Sequence, residues 1–296
     1  MTRAPVTFRV SRWIRVAFVT TLLCVVGFFV ILPIVWLLIS ATKNDSQLFA
    51  LGAFSIPAKI HLGGNISHAF HLQGGILGYW LLNSLIYSVV ISVGATYLAA
   101  LAGYAMAKLR FPGKRAFGAA IIGSLMVPSA VLVIPVFILE QRVHLTNTYE
   151  GVILPSLLSV FGVFFMMVYL HETLPDALIE AALTDGASQW RIFHRIALPI
   201  AVPGLVTLLL ISFIAAWNNY FLPLVLLSNQ KLFPVTVGLA QWLSSVTASS
   251  SAGATSVVYP DVIIGTAASI IPTLILFPFL QRFVARGITL GAVAGE

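Results

Sequence analysis

The chain alternates between long, unbroken apolar runs and short polar turns. Six runs stand out, at about Val16–Ser40, Tyr79–Ala107, Phe117–Leu139, Gly151–Leu170, Val202–Leu227 and Val262–Phe283. Each reaches the ~20 residues a helix needs to cross a hydrocarbon core. None shows the two-residue alternation of a strand, so all six predict helices. Inside lipid a helix satisfies its own backbone N–H and C=O groups. Pro128, Pro135, Pro155 and Pro272 predict breaks or kinks, as where helices rock around a cavity.

The polar segments are unequal. The longest, about Ala41–Gly78, holds Gly63-Gly64, Gly74-Gly75 and the histidines His61, His68 and His71. No cysteine and no neighbouring carboxylate accompanies these histidines. They read as solvated or interfacial rather than as a metal site. Asn65-Ile66-Ser67 matches a glycosylation sequon by chance. Ser244–Ala254, rich in Ser, Ala and Gly, reads as a flexible loop.

Composition removes the soluble classes. Hydrophobic residues make up 59% of the chain and charged residues 8%, against roughly 25% charged in soluble domains. The net charge of +7 does not point to nucleic acid, because the bases sit in short turns between apolar runs. Their distribution sets the orientation. With the N-terminus inside, the inner segments carry Arg3, Arg9, Arg12, Arg15, Lys108, Arg110, Lys114, Arg115, Arg191, Arg195, Arg282 and Arg286. The outer ones carry Lys43, Lys59, Arg142 and Lys231. Twelve inside and four outside account for all sixteen bases, so both termini are expected in the cytoplasm. The first apolar run is too long for a cleaved signal peptide and reads as a retained span. The single cysteine, Cys24, excludes an internal disulfide.

Enzymatic chemistry is not visible. Gly113-Lys114 lacks the glycine cradle of a phosphate-binding loop. His171-Glu172 begins like a zinc-protease helix, but Pro175 stands where the second histidine belongs. No nucleophile–base constellation occurs. Glu140, Glu150 and Glu172 fall near span ends, so little suggests proton coupling.

One polar segment is dense in charge. His171–Ile196 holds four acids, Glu172, Asp176, Glu180 and Asp185, of nine in the chain, together with Arg191 and Arg195. Thr173-x-x-Asp176 resembles a capping box, with Pro175 in the first turn. Asp176–Thr184 reads as a helix. Asp185-Gly186 breaks it, with Gly186 tolerating the turn and Asp185 able to cap the next helix. Ser188–Ala197 reads as that second helix. It places Trp190, Ile192, Phe193, Ile196 and Ala197 on one arc, and Ser188, Arg191, His194 and Arg195 on the other. Ala181, Ala182, Gly186 and Ala187 at the bend let another surface come close. A helix lying on lipid headgroups would carry mostly bases; an excess of acids favours a protein partner. In the fifth run, Asn218 and Asn219 are amides at membrane depth. They mark helix–helix hydrogen bonds or a polar pathway.

"EAALTDGASQWRIFHRIALPIAVPGL", Glu180–Leu205, resembles the E-A-A-x-x-x-G loop of bacterial ABC importer permeases. The chain is similar nearly end to end to the smaller permease subunit of maltose-type carbohydrate importers. "NSLIYS" at Asn83, "GYAMAKLRFPGKR" at Gly103, "LTNTYEGVILP" at Leu145, "FIAAWNNYFLPL" at Phe213 and the ending "QRFVARGITLGAVAGE" carry that similarity. Two departures stand out: Asn219 replaces the usual acid after W-N, and the ending lacks a common basic residue before its last glycine.

The resemblance implies an all-α integral membrane protein with six transmembrane helices and cytoplasmic termini. It implies one transmembrane domain over 1–296, with a core of about 79–284 and an N-terminal span at 16–40. A helix–turn–helix coupling loop at about 171–200 would join helices 4 and 5, and a tail would follow at 285–296. The chain would be a non-catalytic permease in the bacterial plasma membrane, with no cofactor of its own. Its partners would be a second homologous permease, two cytoplasmic ATPase subunits that bind ATP and Mg, and an extracytoplasmic sugar-binding protein. The coupling residues would be Glu180, Ala181, Ala182, Asp185, Gly186, Ala187, Trp190, Arg191 and Phe193. Asn83, Asn218, Asn219 and Tyr220 would line the pathway or pack helices. Gly287, Thr289 and Gly291 would reach toward the ATPases. Another solute (a polyol, glycerol phosphate or amino acid), a stand-alone secondary carrier and a membrane-integral enzyme are the rival readings.

Overall fold

The computed structural model describes residues 7–249 and 257–293. Among them there are helices and no strands. α1 (Thr7–Ala41) is followed by two short helices, α2 (Asp45–Ala50) and α3 (Leu62–His71). α4 (Ile76–Lys108), α5 (Lys114–Leu125), α6 (Ser129–Arg142), α7 (Tyr149–Ser156) and α8 (Val160–Thr173) come next. α9 (Asp176–Thr184), α10 (Gln189–Ile192), a π-helical turn at Phe193–Ala197 and α11 (Leu198–Ile200) form the charged segment. α12 (Val202–Trp217), α13 (Phe221–Leu226), α14 (Val235–Ser249) and α15 (Tyr259–Val293) complete the chain.

Among the described residues four helical stretches are long and apolar enough to cross a membrane: Trp13–Ala41, Ile76–Lys108, Tyr149–Thr173 and Tyr259–Leu276. Two bent pairs bring the number to six if each pair is one span. The expected spans correspond to these one for one, but three are not continuous, the Gly151–Leu170 run being interrupted between α7 and α8 after Pro155. The Phe117–Leu139 run folds as α5 and α6, bent by 108° around Pro128. The Val202–Leu227 run stops at Trp217 and resumes as α13 after Asn218–Tyr220. Hydropathy alone does not register such breaks, because Met126–Pro128 is still apolar and the polar stretch Asn218–Tyr220 is too short to interrupt its run.

α4 is the axis of the fold. One face of it is a buried stripe of small residues, Ser84, Ser88, Ser92, Ala95, Thr96, Ala99, Ala100 and Gly103, against which α8 and α12 pack. Lipid tails are as apolar as leucine, so close backbone approach and hydrogen bonds, rather than flight from water, hold such helices together. Gly103 is the tightest point of α4 on α8: a Cβ there would stand 2.6 Å from Met166 Cβ. Two clusters flank the stripe. One, around Tyr104, Met166, Ile192, Phe193 and Leu208, lies at the end of α4 that carries Lys108, here the basic end. The other, around Trp80, Tyr87, Trp217 and Trp242, lies at the far end.

The far end is more ordered than its composition predicts. Lys43 is 1% exposed and donates to the carbonyls of Gly52 (2.9 Å) and Ala53 (3.3 Å), which folds the loop after α2 back on α1. The Asn65 amide, in the sequon, donates to the carbonyls of Ala41 and Lys43 at 2.9 and 2.8 Å. His68 is not simply solvated. Its Nδ1 lies 2.7 Å from Oδ1 of the buried Asp261 on α15. His71 Nδ1 lies 2.7 Å from its own helix's Ser67 carbonyl. No group of three metal-ligating side chains occurs among the described residues. The expected flexible loop at Ser244–Ala254 is corrected in its first part: Ser244–Ser249 is the end of α14, where the Ser244, Ser245 and Thr247 hydroxyls bond back to carbonyls one turn earlier. Residues 250–254 of that loop lie outside the described residues.

Candidate functional site

The charged segment folds as the expected helix–turn–helix knuckle, and its interior explains why. Leu174, Ile179, Ile192, Phe193 and Ala197 are buried in the cluster at the basic end of α4 and α8. Glu180, Ala181, Asp185, Gly186, Trp190 and Arg191 are exposed, and Ala182 and Ala187 are half-buried at the bend. The knuckle thus presents a crest of acids and small residues. Leu178 and Leu183 add exposed apolar area beside it.

The bend is a complete helix C-cap. Gly186 N–H donates to Leu183 O (3.0 Å) and Ala187 N–H to Ala182 O (2.9 Å), the paired bonds of a Schellman motif. Gly186 supplies the left-handed residue this motif needs, at φ +78. Ser188 then caps the next helix, accepting from Arg191 N–H at 3.3 Å. Two details of the expected capping are corrected. Asp185 ends α9 but does not cap α10, because Ser188 is the residue with extended backbone just before it. Thr173 forms no capping box: its hydroxyl donates to Tyr169 O at 2.7 Å, and Pro175 is the N-cap of α9.

Trp190 also departs from its expected place on the apolar arc. It is 60% exposed, and its indole ring centre lies 4.3 Å from that of His194. Phe193 behaves as expected at 1% exposure. The π-turn at Phe193–Ala197 falls where the segment joins α11, and the whole stretch Gln189–Ile200 meets α12 at 80°. Such turns concentrate at functional sites.

Two side-chain bonds that the sequence did not announce tie the knuckle to α4. The Tyr104 hydroxyl donates to Gln189 Oε1 at 2.8 Å. Lys108 Nζ donates to Asp176 Oδ1 at 2.7 Å. That hydrogen bond, and then the Lys108 charge, hold the Asp176 carboxyl below the usual carboxylate range. Tyr104 and Lys108 are four residues apart on α4, hence on one face. That spacing within "GYAMAK" was the available signal.

The polar residues expected to line the pathway or pack helices separate into two groups. Asn83 is 1% exposed, and all its amide contacts are internal. Its Nδ2 donates to Lys231 O (2.8 Å) and Phe233 O (3.0 Å), and its Oδ1 accepts from Tyr149 Oη at 2.7 Å. With Trp80 on Gln230 O, Tyr87 on Leu232 O and Ser84 on Val235 N–H, it fastens the 230–235 segment to α4. Asn218, Asn219 and Tyr220 instead stand at the break between α12 and α13. They face a cavity of about 500 Å³ whose other walls include Ser129, Pro155 and Ser156. A recess of about 150 Å³ joins Asn219 to Ser156, Ser159 and Ser212. Three interrupted helices therefore meet at one space whose largely apolar wall is set with amides and hydroxyls, and neither cavity has a charged side chain in its wall. The wall serines were not anticipated, since lone serines in apolar runs carry no pattern.

Gly287, Thr289 and Gly291 lie in the last turns of α15, which runs helical past Phe283 to Val293. The end of the expected tail, Ala294–Glu296, lies outside the described residues.

Comparison with known proteins places these features. The family described as "Binding-protein-dependent transport system inner membrane component" matches residues 95–290. The arabinooligosaccharides transport system permease protein AraQ of Halalkalibacterium halodurans is 31% identical over 272 residues, covering 91% of this chain and 93% of that protein. The sn-glycerol-3-phosphate transport system permease protein UgpE of Yersinia pestis is 30% identical, covering 90% and 94%. The diacetylchitobiose uptake system permease protein NgcG of Streptomyces coelicolor is 29% identical, covering 88% and 83%. A chain from the crystal structure of a bacterial ABC transporter involved in the import of the acidic polysaccharide alginate shares the fold, at TM-score 0.76 and 21% identity over 95% of this chain and 99% of that one.

Proposed function

Because the chain belongs to the family of binding-protein-dependent transport system inner membrane components, we propose that its exposed knuckle is where this permease receives the work of ATP hydrolysis. The chain is a multi-pass component of a bacterial plasma membrane importer and not itself an enzyme. In our reading the basic end is cytoplasmic. Two ATPase subunits bind and hydrolyse ATP with Mg, and this chain holds no cofactor. Glu180 meets basic or polar groups in a cleft of one ATPase, while Ala181, Ala182 and Gly186 admit close seating. A second, homologous permease completes the pathway, and an extracytoplasmic binding protein delivers the cargo. Closure of the ATPases moves the knuckle, and through the Tyr104 and Lys108 bonds the movement reaches α4. The breaks at Pro128 and at Asn218–Tyr220 then let the pathway open outward and return.

The observation that carries this reading is the knuckle itself: an exposed crest of acids and small residues on a base buried in the helix core. For the cargo, the named relatives transport arabinooligosaccharides, diacetylchitobiose or sn-glycerol-3-phosphate. The cavity walls contributed by this chain offer hydroxyl and amide groups and no charge. That set suits a neutral carbohydrate better than a phosphate ester, which calls for a base. The test is uptake by proteoliposomes holding both permeases and both ATPases. Transport of an oligosaccharide that requires ATP and the binding protein supports the proposal. Transport by this chain alone, without ATP, overturns it.

A further inference from the structure

The turn between α4 and α5 gathers Lys108, Arg110, Lys114 and Arg115 within eight residues. Two of the four bases are already engaged. Lys108 meets Asp176, and Lys114 Nζ folds back to donate to Leu109 O at 2.9 Å. Arg110 and Arg115 are exposed and have no carboxylate within ion-pair distance among the described residues.

A plain solvated turn would end there, but this one also has an apolar side. Arg110, Lys114 and Arg115 share the wall of a cavity of about 670 Å³ with Met106, Phe111 and Met167. Met106 is buried at 8% exposure. The site lies where two membrane-crossing segments end, since Lys108 is the last residue of α4 and Lys114 the first of α5. Its depth is therefore that of the headgroups. Phe117, one turn into α5, is 62% exposed. Unpaired guanidinium groups beside an apolar seat match a molecule with a phosphate at one end and hydrocarbon at the other. Guanidinium binds phosphate with two parallel hydrogen bonds. Basic pockets between transmembrane helices on the cytoplasmic side bind anionic headgroups.

We propose that this pocket holds the phosphate headgroup of an anionic phospholipid, with Arg110 and Arg115 as the phosphate pair and Met106, Phe111 and Met167 as the seat of the glycerol backbone. The site rests on the membrane placement of α4 and α5, not on the coupling role of the knuckle.

The experiment uses the whole importer, both permeases with both ATPases, in neutral detergent. It is given phosphatidylglycerol in a phosphatidylcholine background, and retained lipid is counted by native mass spectrometry. The Arg110→Gln/Arg115→Gln variant should retain one phosphatidylglycerol fewer per complex, because it binds that lipid about thirtyfold more weakly, the scale for two bases leaving an anionic headgroup. Removing two far-end bases, Arg142→Gln/Lys231→Gln, should lose none. Equal retention by the wild type and the Arg110→Gln/Arg115→Gln variant overturns the proposal. So does displacement of the lipid by inorganic phosphate, which would make this a site for free anions. Loss of ATPase subunits with lipid retained also overturns it, since the turn would then be a protein contact. If the double glutamine variant does not assemble, the wild type decides: retention of phosphatidylcholine as readily as phosphatidylglycerol overturns the headgroup assignment.

Discussion

The Tyr104 hydroxyl on α4 reaches Gln189 Oε1 at 2.8 Å, so the central helix of the bundle holds the first turn of the helix that comes after the Gly186 bend. Tyr104 is 3% exposed. Its bond is the buried end of the path from the exposed crest to the small-residue stripe of α4.

Tyr104→Phe keeps the ring and removes that bond. The loss should be about 1 kcal/mol of local stability, too little to unfold the chain. ATP hydrolysis by the assembled complex should continue while solute moved per ATP falls. Gln189→Leu should do the same, and the double variant should be no worse than either single one. Additive losses would mean that the two residues act independently.

Gly186 stands at φ +78 with nothing within 4 Å of the place a Cβ would occupy, so small substitutions are penalised by backbone conformation alone. Gly186→Asn should be mildest, since asparagine tolerates the left-handed region, and Gly186→Ala should cost about 1 kcal/mol. Gly186→Val should be worst. Uptake rates in that order support the Schellman bend; equal rates for Val and Gly would remove the need for it.

The Lys108–Asp176 pair predicts a one-sided pH response. The Asp176 carboxyl is held below its ordinary range, chiefly by the Lys108 hydrogen bond. The contribution of the pair is thus fully present above the ordinary carboxylate pKa, and is lost as pH falls from there through the lowered value. Proteolytic protection of the knuckle should be flat from neutral pH down to mildly acidic pH. Asp176→Asn should show reduced protection at neutral pH that no longer depends on acid. A loss of protection on raising the pH toward neutrality would contradict the assignment.

Asn83 and Asn219 should separate in their effects. Asn83→Leu leaves the Lys231 and Phe233 carbonyls and the Tyr149 hydroxyl without their partner. Each such buried group is worth about 1–3 kcal/mol, so folded protein in the membrane should fall. Asn219→Leu leaves the far-end cluster intact and changes the wall of the cavity beside it. It should assemble normally and alter transport, read as uptake rate per folded complex.

Much of this was legible in the sequence because it rests on local physics. Hydropathy located the four long spans and the two bent pairs, and Asp185-Gly186 located the bend. The loop's helix pattern placed Ile192 and Phe193 inward. What escaped depends on contacts distant in the chain. Tyr104 and Gln189 are 85 positions apart, and nothing local joins them. Trp190 looked buried by periodicity, but α10 turns Ile192 to the core and leaves the indole exposed. Pro128 announced its break, but the one at Asn218–Tyr220 was hidden by apolar neighbours. α14 was missed in part because its Ser- and Ala-rich end resembles a loop until its hydroxyls are seen to bond their own helix.

The central claim is that the knuckle transmits ATPase motion to the spans, and the ratio of oligosaccharide imported to ATP hydrolysed tests it most directly. Reconstituted importers carrying Glu180→Lys or Gly186→Trp should fold and keep their six spans. Import per ATP should nonetheless collapse, or hydrolysis should lose its response to the loaded binding protein. A normal ratio in both variants would contradict the account, and the coupling element would have to be sought elsewhere in the chain.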